Sequence, residues 1–164
     1  MTPVSNIQAP SFRIVSGQEA DLPELETAHQ DCFPEDAWSQ DTLQGLLTLP
    51  GYHLRLSMPQ GTEDRRLSGF CLFRTAADEA EIITLGVIPS ARRRGLARAL
   101  LQDFTDQACL AGARHLFLEV AEDNGSAVAL YQHAGFAVSG RRPGYYDHGR
   151  TQPVDALIME YHLY

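Results

Sequence analysis

The sequence predicts an α/β (α+β) domain with a mixed, mostly antiparallel sheet of about seven strands and about four helices. Three observations lead to this prediction. The 164 residues suffice for one hydrophobic core and are few for two. Apolar runs with the two-residue period of strands are interspersed with runs that repeat at helical spacing. A long amphipathic segment between two buried-looking strands predicts a right-handed β-α-β crossover at the centre.

The first half of the chain predicts one strand, two helices and three further strands. Residues 1–11, which carry two prolines, are expected to form a flexible tail ahead of a domain spanning residues 12–164. After the strand "SFRIVS", the first helix places His29 on its apolar stripe, and Ser39 is the expected cap of the second. The runs "YHLRLSM", "RLSGFCLFRTA" and "AEIITLGV" predict an antiparallel meander.

The second half predicts the crossover helix and the remaining strands. The long helix is expected over residues 93–112, with Gly112 as its left-handed cap. "RHLFLEV" predicts a buried strand, and "NGSAVALYQHAG" a short helix ended by Gly135. Two strands, beginning "FAVSGRR" and "DALIMEYHL", complete the sheet.

Composition narrows the classes of function. The formal net charge of -8 disfavours nucleic-acid binding and slightly favours a cationic partner. No apolar run approaches the roughly 20 residues of a membrane span, so no membrane partner is expected. The three cysteines are expected to be reduced, and the six histidines show no metal-ligand spacing, so no metal is predicted. The first residues lack a secretory pattern, which favours a cytoplasmic protein.

Four arginines between Val87 and Phe104 are unexpected in an acidic chain. A strand ends at Val87, and Gly95 is expected in the first turn of the long helix, where free amides and the helix dipole attract anions. A merely solvated basic helix start is the alternative, but each cation there costs about 0.3–1 kcal/mol. The segment therefore predicts a phosphate site. Its residues match neither the P-loop motif nor the glycine motif of a Rossmann turn.

The six residues "RRRGLA" at 92–97 resemble the R/Q-x-x-G-x-G/A signature of GNAT N-acetyltransferases, which bind the pyrophosphate of acetyl-CoA there. Residues 12 to about 161 are similar to the RimI-type branch, the ribosomal-protein alanine N-acetyltransferases. Four segments carry that similarity: "CFPEDAWSQDTL", "ITLGVIPSARRRGLARALL", "LFLEVAEDNGSAVALYQHAGF" and "RRPGYYDHGRTQPVDALIME".

The resemblance implies the GNAT fold, acetyl-CoA as co-substrate, and direct acetyl transfer to the N-terminal α-amino group of a protein. Alanine is the implied first residue and a ribosomal protein the implied acceptor. The residues implied to hold the cofactor are Leu85, Gly86, Val87, Arg92, Arg93, Arg94, Gly95, Leu96, Ala97, Asn124 and Tyr131.

Acetyl transfer also needs proton transfer, because an α-amino group has a pKa of about 8 and is largely protonated at neutral pH. Glu119 is the candidate base, since strand alternation sets it and Phe117 on the face opposite Leu118. An ion pair with an arginine such as Arg114 or Arg141 is the alternative, and the resemblance favours catalysis.

Tyr131 is the candidate acid, two helical turns after Asn124. A core tyrosine and a simple helix cap are the alternative interpretations of these two residues. The resemblance assigns Asn124 to the cofactor and Tyr131 to protonation of the leaving thiolate.

For the acceptor, the resemblance implies a peptide groove between the segments "CFPEDAW" and "RRPGYYDHG". Its aromatic walls would be Phe33, Trp38, Tyr145 and Tyr146, with Glu35 and Asp36 attracting basic residues of the peptide. Packing of these aromatics on the core is the alternative, and the extra residues between Pro34 and Trp38 depart from the family pattern.

Two other functions remain open from the sequence: a GNAT enzyme for small amines, and a non-catalytic CoA-binding module. The module is disfavoured because Glu119 and Tyr131 are both present. Acetylation of lysine side chains, and a monomeric or dimeric state, also remain open.

Overall fold

A seven-stranded sheet flanked by four α-helices forms the protein. The computed structural model describes residues 11–61 and 63–164, so nearly all of the expected N-terminal tail lies outside the described residues. The strands are β1 (Phe12–Ser16), β2 (Tyr52–Pro59), β3 (Gly69–Ala76), β4 (Glu79–Val87), β5 (His115–Ala121), β6 (Ala137–Tyr146) and β7 (Val154–His162). The helices are α1 (Leu22–Cys32), α2 (Gln40–Leu47), α3 (Leu96–Leu110) and α4 (Gly125–His133).

The strand order is β1-β2-β3-β4-β5-β7-β6, and the predicted sequence of elements is confirmed. Strands β2, β3 and β4 form the expected antiparallel meander. Only the pair β4 and β5, which α3 connects, is parallel. The sheet is therefore mixed and mostly antiparallel, as the sequence predicts.

Two apolar clusters hold the helices against opposite faces of the sheet. On one face, α1 and α2 bury Leu22, Leu25 and Leu43 together with strand residues that include Phe70 and Leu72. On the other face, α3 and α4 pack on alternating residues of β4, β5 and β7. The side chains of α3 and α4 in that cluster are Leu96, Leu100, Leu101, Phe104, Ala108 and Tyr131. We call these the α1 face and the α3 face.

A β-bulge in β4 determines which of its residues point to each face. Leu72 of β3 is opposite Thr84 and Phe73 is opposite Ile82, so Ile83 is the extra residue. Before the bulge, Ile82 packs in the cluster of the α3 face; after it, Thr84 contacts a side chain of α1. Because one extra residue reverses the alternation, the second half of β4 presents Thr84 and Gly86 to the α1 face.

Strands β4 and β5 separate soon after they begin to pair. Their register covers three residues of each strand, Glu79–Glu81 against His115–Phe117, although β4 continues to Val87 and β5 to Ala121. Beyond this point β5 pairs with β7 alone, through Ala121. The result is a gap in the middle of the sheet, bordered by strand backbone without a partner across it.

The start of α3 differs from the sequence prediction. The helix begins at Leu96, and Gly95 is its N-cap residue in the left-handed conformation (φ 76°). Arg93 also has a positive φ, of 61°, so the chain turns sharply before the helix can begin. The prediction that Gly95 lies within the first turn is therefore wrong. Gly112, with φ 89°, is confirmed in the left-handed conformation just after the helix.

A pair of glycine substitutions tests the packing of β4. A Cβ at Gly86 would lie 2.7 Å from Phe70 Cζ and 2.9 Å from Cys32 Sγ, so Gly86→Ala should lower the free energy of unfolding by about 1–3 kcal/mol. A Cβ at Gly45, in α2, would meet nothing within 4 Å, so Gly45→Ala should raise it by about 0.5–1 kcal/mol. Urea denaturation of both variants gives the comparison. Equal stabilities would contradict this description of Gly86.

Candidate active site

The two candidate catalytic residues lie on opposite faces of the sheet. Glu119 lies in the part of β5 that has left β4, while its neighbours Leu118 and Val120 are buried in the cluster of the α3 face. Alternation along the strand therefore points Glu119 to the α1 face. Tyr131, on α4, approaches from the α3 face, where it belongs to the buried cluster.

Glu119 forms an ion pair with an arginine that the sequence analysis did not select. Its Oε1 lies 2.8 Å from Nε of Arg142 on β6, and its side chain is 21% exposed. The expected alternative partner Arg141 instead pairs with Glu122 and Asp155. The alternative interpretation of Glu119, an ion pair with an arginine, is therefore present, but with Arg142 in place of the two arginines given as examples. Successive side chains of a strand point to opposite sides, which separates Arg142 from Arg141.

A cleft of about 310 Å³ adjoins the carboxylate of Glu119. Phe117 and Arg142 form part of its wall, together with the Arg74–Glu81 pair from β3 and β4. Glu119 is consequently reachable from outside, and its charge is balanced by a guanidinium that is itself 56% exposed.

Tyr131 is 7% exposed and packs edge-on to Phe136, with 6.1 Å between ring centroids. Burial raises the pKa of Tyr131 above its ordinary value, and electrostatic interactions with Cys71 and Tyr146 act in the same direction. The hydroxyl group is therefore protonated at neutral pH.

Tyr146 interacts electrostatically with both candidate catalytic side chains, Glu119 and Tyr131. Burial raises the pKa of Tyr146, followed by the charge of Glu119, and Tyr146 in turn contributes to the raised pKa of Tyr131.

Asn124 caps α4. Its Oδ1 accepts a hydrogen bond of 3.2 Å from the amide of Ala127, and the residue is exposed. This is the structural role that the sequence analysis weighed against a cofactor contact, and the helix cap by itself accounts for an asparagine at this position.

The loop before α3 combines free amides with exposed cations. The first hydrogen bond within the helix runs from the amide of Ala99 to the carbonyl of Gly95, so the amides of residues 96–98 have no partner inside the helix. Nothing lies within 4 Å of the position that a Cβ of Gly95 would occupy. Arg93 and Arg94 are exposed and form no ion pair with any residue in the described ranges.

Arg92 differs from its two neighbours, because its Nε donates a hydrogen bond of 3.0 Å to the carbonyl of Val87. It also interacts with Cys32, a residue that the sequence analysis did not place at the site. Burial raises the pKa of Cys32 to about 11, with the nearby Arg92 opposing the shift. Cys32 is thus a protonated thiol at neutral pH and is not poised as a nucleophile.

The four predicted acceptor aromatics divide into two pairs. Phe33 and Trp38 pack on the core of the α1 face, as the alternative interpretation expects, and both contact the ring of His29. Tyr145 is 53% exposed and meets Tyr146 edge-on, with 5.1 Å between centroids. Phe33 and Trp38 are therefore packed into the protein, whereas the ring of Tyr145 is accessible to a ligand.

Two loops contact each other next to Tyr146. We call residues 33–38 the acceptor loop and residues 147–153, between β6 and β7, the hairpin loop. A Cβ at Gly149 would lie 3.0 Å from Cβ of Glu35, so the two loops are in close contact. Arg150 of the hairpin loop pairs with Asp123 and lies over the ring of Tyr146, 5.9 Å from its centroid.

Within residues 11–61 and 63–164, no group of three or more His, Cys, Asp or Glu side chains is arranged to hold a metal ion. None of the helices in these ranges has the length and hydropathy needed to cross a membrane.

Comparison with known proteins agrees with this geometry. Residues 17–136 match the model of the acetyltransferase (GNAT) family. A ribosomal protein bS18-alanine N-acetyltransferase of Salmonella typhimurium is 34% identical over 122 residues, which are 74% of this chain and 78% of that protein. The N-alpha-acetyltransferase RimI of Mycobacterium tuberculosis is 34% identical over 129 residues, 76% of this chain and 75% of its own length.

Solved structures show the same fold. The crystal structure of the ribosomal-protein-S18-alanine N-acetyltransferase from Escherichia coli has a TM-score of 0.84 and 29% identity, covering 93% of this chain and 94% of that one. A structure of Arabidopsis thaliana NAA60 with acetyl-CoA has a TM-score of 0.79 at 22% identity, covering 92% and 98%. With a family model that spans most of its length, this chain belongs to the GNAT family of acetyltransferases.

Proposed function

We propose that this N-acetyltransferase transfers the acetyl group of acetyl-CoA to the N-terminal α-amino group of a protein that begins with alanine, a ribosomal protein. The observation that carries the proposal is the position of Glu119 on the part of β5 that has left β4, with Tyr131 in the buried cluster on the opposite face of the sheet. The names of the relatives from Salmonella typhimurium and Mycobacterium tuberculosis support the choice of an N-terminal amine.

The α3 face suits the co-substrate. GNAT acetyltransferases use acetyl-CoA, which supplies an activated acetyl thioester when bound. The free amides of residues 96–98, the open space at Gly95 and the unpaired cations Arg93 and Arg94 fit its pyrophosphate. The backbone of Leu85, Gly86 and Val87 borders the gap without a β5 partner and is available to an amide-bearing chain. Arg92 supports this strand end through its bond to Val87.

Glu119 is the proposed proton acceptor. Its carboxylate faces the cleft of the α1 face, where an acceptor amine can reach it without crossing the sheet. An α-ammonium group entering there competes with Arg142 for the same oxygen. Because the Arg142 side chain is more than half exposed, it can turn to solvent and leave Glu119 to take the proton.

Tyr131 is the proposed proton donor to the departing sulfur. Burial keeps its phenol neutral, so the proton is present at every working pH. The thiol of Cys32 remains protonated for the same reason, which favours direct transfer to the amine over an acetylated cysteine.

The acceptor loop and the hairpin loop form the proposed peptide site. Their contact at Glu35 and Gly149 closes the region above Tyr146. Glu35 and Asp36 bring negative charge to this entrance, which favours an acceptor whose first residues are followed by basic ones.

One assay separates the candidate acceptors. Thiol release from acetyl-CoA should be fastest with a peptide that begins with alanine and continues with basic residues. The same peptide with a blocked N-terminus should be inactive although it still carries its lysines. A panel of small amines should give a kcat/KM at least about 100-fold lower, since it lacks the contacts to both loops. A higher kcat/KM for any small amine, or equal activity of the blocked peptide, would contradict the proposal.

Substitutions at the two proton-transferring residues test the chemistry. Glu119→Gln preserves shape and removes basicity, so kcat should fall about 100-fold to 10,000-fold while the affinity for acetyl-CoA stays nearly unchanged. Tyr131→Phe should lower kcat without moving the alkaline limb of the pH profile, because burial already places the pKa of Tyr131 above the accessible range. The double variant should lose less than the product of the two factors, since both residues act on one transition state. A Glu119→Gln enzyme that keeps most of its activity would show that water alone accepts the proton.

A further inference from the structure

His29, on the last turn of α1, is the only described side chain that contacts both the acceptor loop and strand β4 through its two ring nitrogens. It is 2% exposed. Its Nδ1 lies 3.2 Å from the backbone nitrogen of Trp38, and its Nε2 lies 3.4 Å from Oγ1 of Thr84. A buried polar ring with a partner on each nitrogen is held in one orientation.

The partner at Nδ1 determines the protonation state. A backbone N–H can only donate, so Nδ1 must be the unprotonated, accepting nitrogen. The single proton of the neutral ring is therefore on Nε2, where it faces the hydroxyl of Thr84. Protonation of Nδ1 would place two donors against each other and break the bond to Trp38.

Ring stacking fixes the loop further. His29 stacks on Trp38 with 4.9 Å between centroids and an interplanar angle of 21°, and on Phe70 of β3 at 5.5 Å and 26°. Phe33 packs against the same imidazole at 4.9 Å. Both aromatic residues of the acceptor loop are thus positioned by one histidine, beside the stretch of β4 that borders the gap.

The surroundings of His29 favour the neutral ring. Burial lowers the pKa of His29 below its ordinary value, and the carboxylate of Asp36 on the acceptor loop opposes this. The other elements packed on the ring contribute Phe70 from β3 and Thr84 from β4, neither of which titrates.

We propose that His29, as the neutral tautomer with its proton on Nε2, is a positioning residue that holds the acceptor loop against β4 and thereby sets the affinity for the acceptor peptide. This proposal rests on the proposed function, because it takes the loop as part of the peptide site. His29 touches neither reacting group, so its loss should change peptide binding and leave the chemical step and the cofactor site unaltered.

The matched substitutions separate the hydrogen bond from the volume of the ring. His29→Asn keeps an acceptor near the position of Nδ1, whereas His29→Leu fills similar space with no acceptor. His53 is the control, since it also stacks on a phenylalanine (4.9 Å to Phe73) and bonds a threonine (3.0 Å to Thr75) far from the loop. Burial lowers the pKa of His53 as well, so His53→Leu controls for the loss of a titrating histidine.

Calorimetry with the alanine-starting peptide and CoA-saturated protein gives the first measurement. His29→Leu should weaken peptide binding about fivefold to tenfold, the loss expected for one hydrogen bond, with kcat and acetyl-CoA affinity within about twofold of the unmodified protein. His29→Asn should restore peptide affinity to within about twofold, and His53→Leu should not change it. Equal weakening by the Asn and Leu variants, or no weakening by either, would overturn the proposal.

The pH dependence has a defined sign. Peptide affinity of the unmodified protein should fall below the ordinary histidine pKa of about 6.5 as His29 gains a proton. In His29→Asn this acid-side loss should be reduced. An identical acid limb in both proteins would contradict the assigned role.

Fluorescence gives a measurement that needs no acceptor. Trp38 is the single tryptophan of the chain, so its emission reports directly on the loop. Its spectrum should shift in His29→Leu and resemble the unmodified protein in His29→Asn. If these shifts occur but the peptide is not acetylated, the positioning of the loop is supported and the proposed acceptor is contradicted. An unchanged Trp38 spectrum in His29→Leu would overturn the positioning role itself.

Discussion

The separation of β4 from β5 after three paired residues is the constraint on which the rest of the site depends. In a continuous parallel sheet, the side chains of the two faces never meet, because backbone hydrogen bonds close the space between neighbouring strands. Here the strands diverge while α3 joins them on one face and β7 continues to pair with β5. In the proposed mechanism, this opening is where the phenol of Tyr131 on one face and the carboxylate of Glu119 on the other act on a single group.

The two side chains proposed for proton transfer lie in different surroundings. Tyr131 is buried, which raises the pKa of its phenol, whereas Glu119 is partly exposed and paired with the exposed guanidinium of Arg142. The bulge at Ile83 turns Thr84 toward His29, and His29 in turn contacts Trp38. Strand β4 and the acceptor loop are thereby connected by short-range contacts.

The sequence predicts much of this fold, since the periods of its apolar residues are local properties. Several features follow from the sequence pattern and are present in the structure: the order of elements, the Ser39 cap, the left-handed Gly112 and the meander. The ion pair of Glu119 with Arg142 could not be selected in the same way, because the choice between adjacent arginines depends on the register of β6, which contains two irregularities. The bulge at Ile83 and the contacts of His29 could not be predicted either, because a histidine on an apolar stripe gives no sign of which group lies against each ring nitrogen.

We infer that co-substrate and acceptor approach from opposite faces of the sheet and meet in the β4–β5 gap. A crystal structure with a conjugate that joins CoA to the α-amine of an alanine-starting peptide through an acetyl linker tests this inference. We expect the pyrophosphate at the amides of residues 96–98, the linker between β4 and β5, and the peptide between the acceptor loop and the hairpin loop. A conjugate with both halves on one face, or with its pyrophosphate away from the start of α3, would show that the two substrates do not meet in the gap.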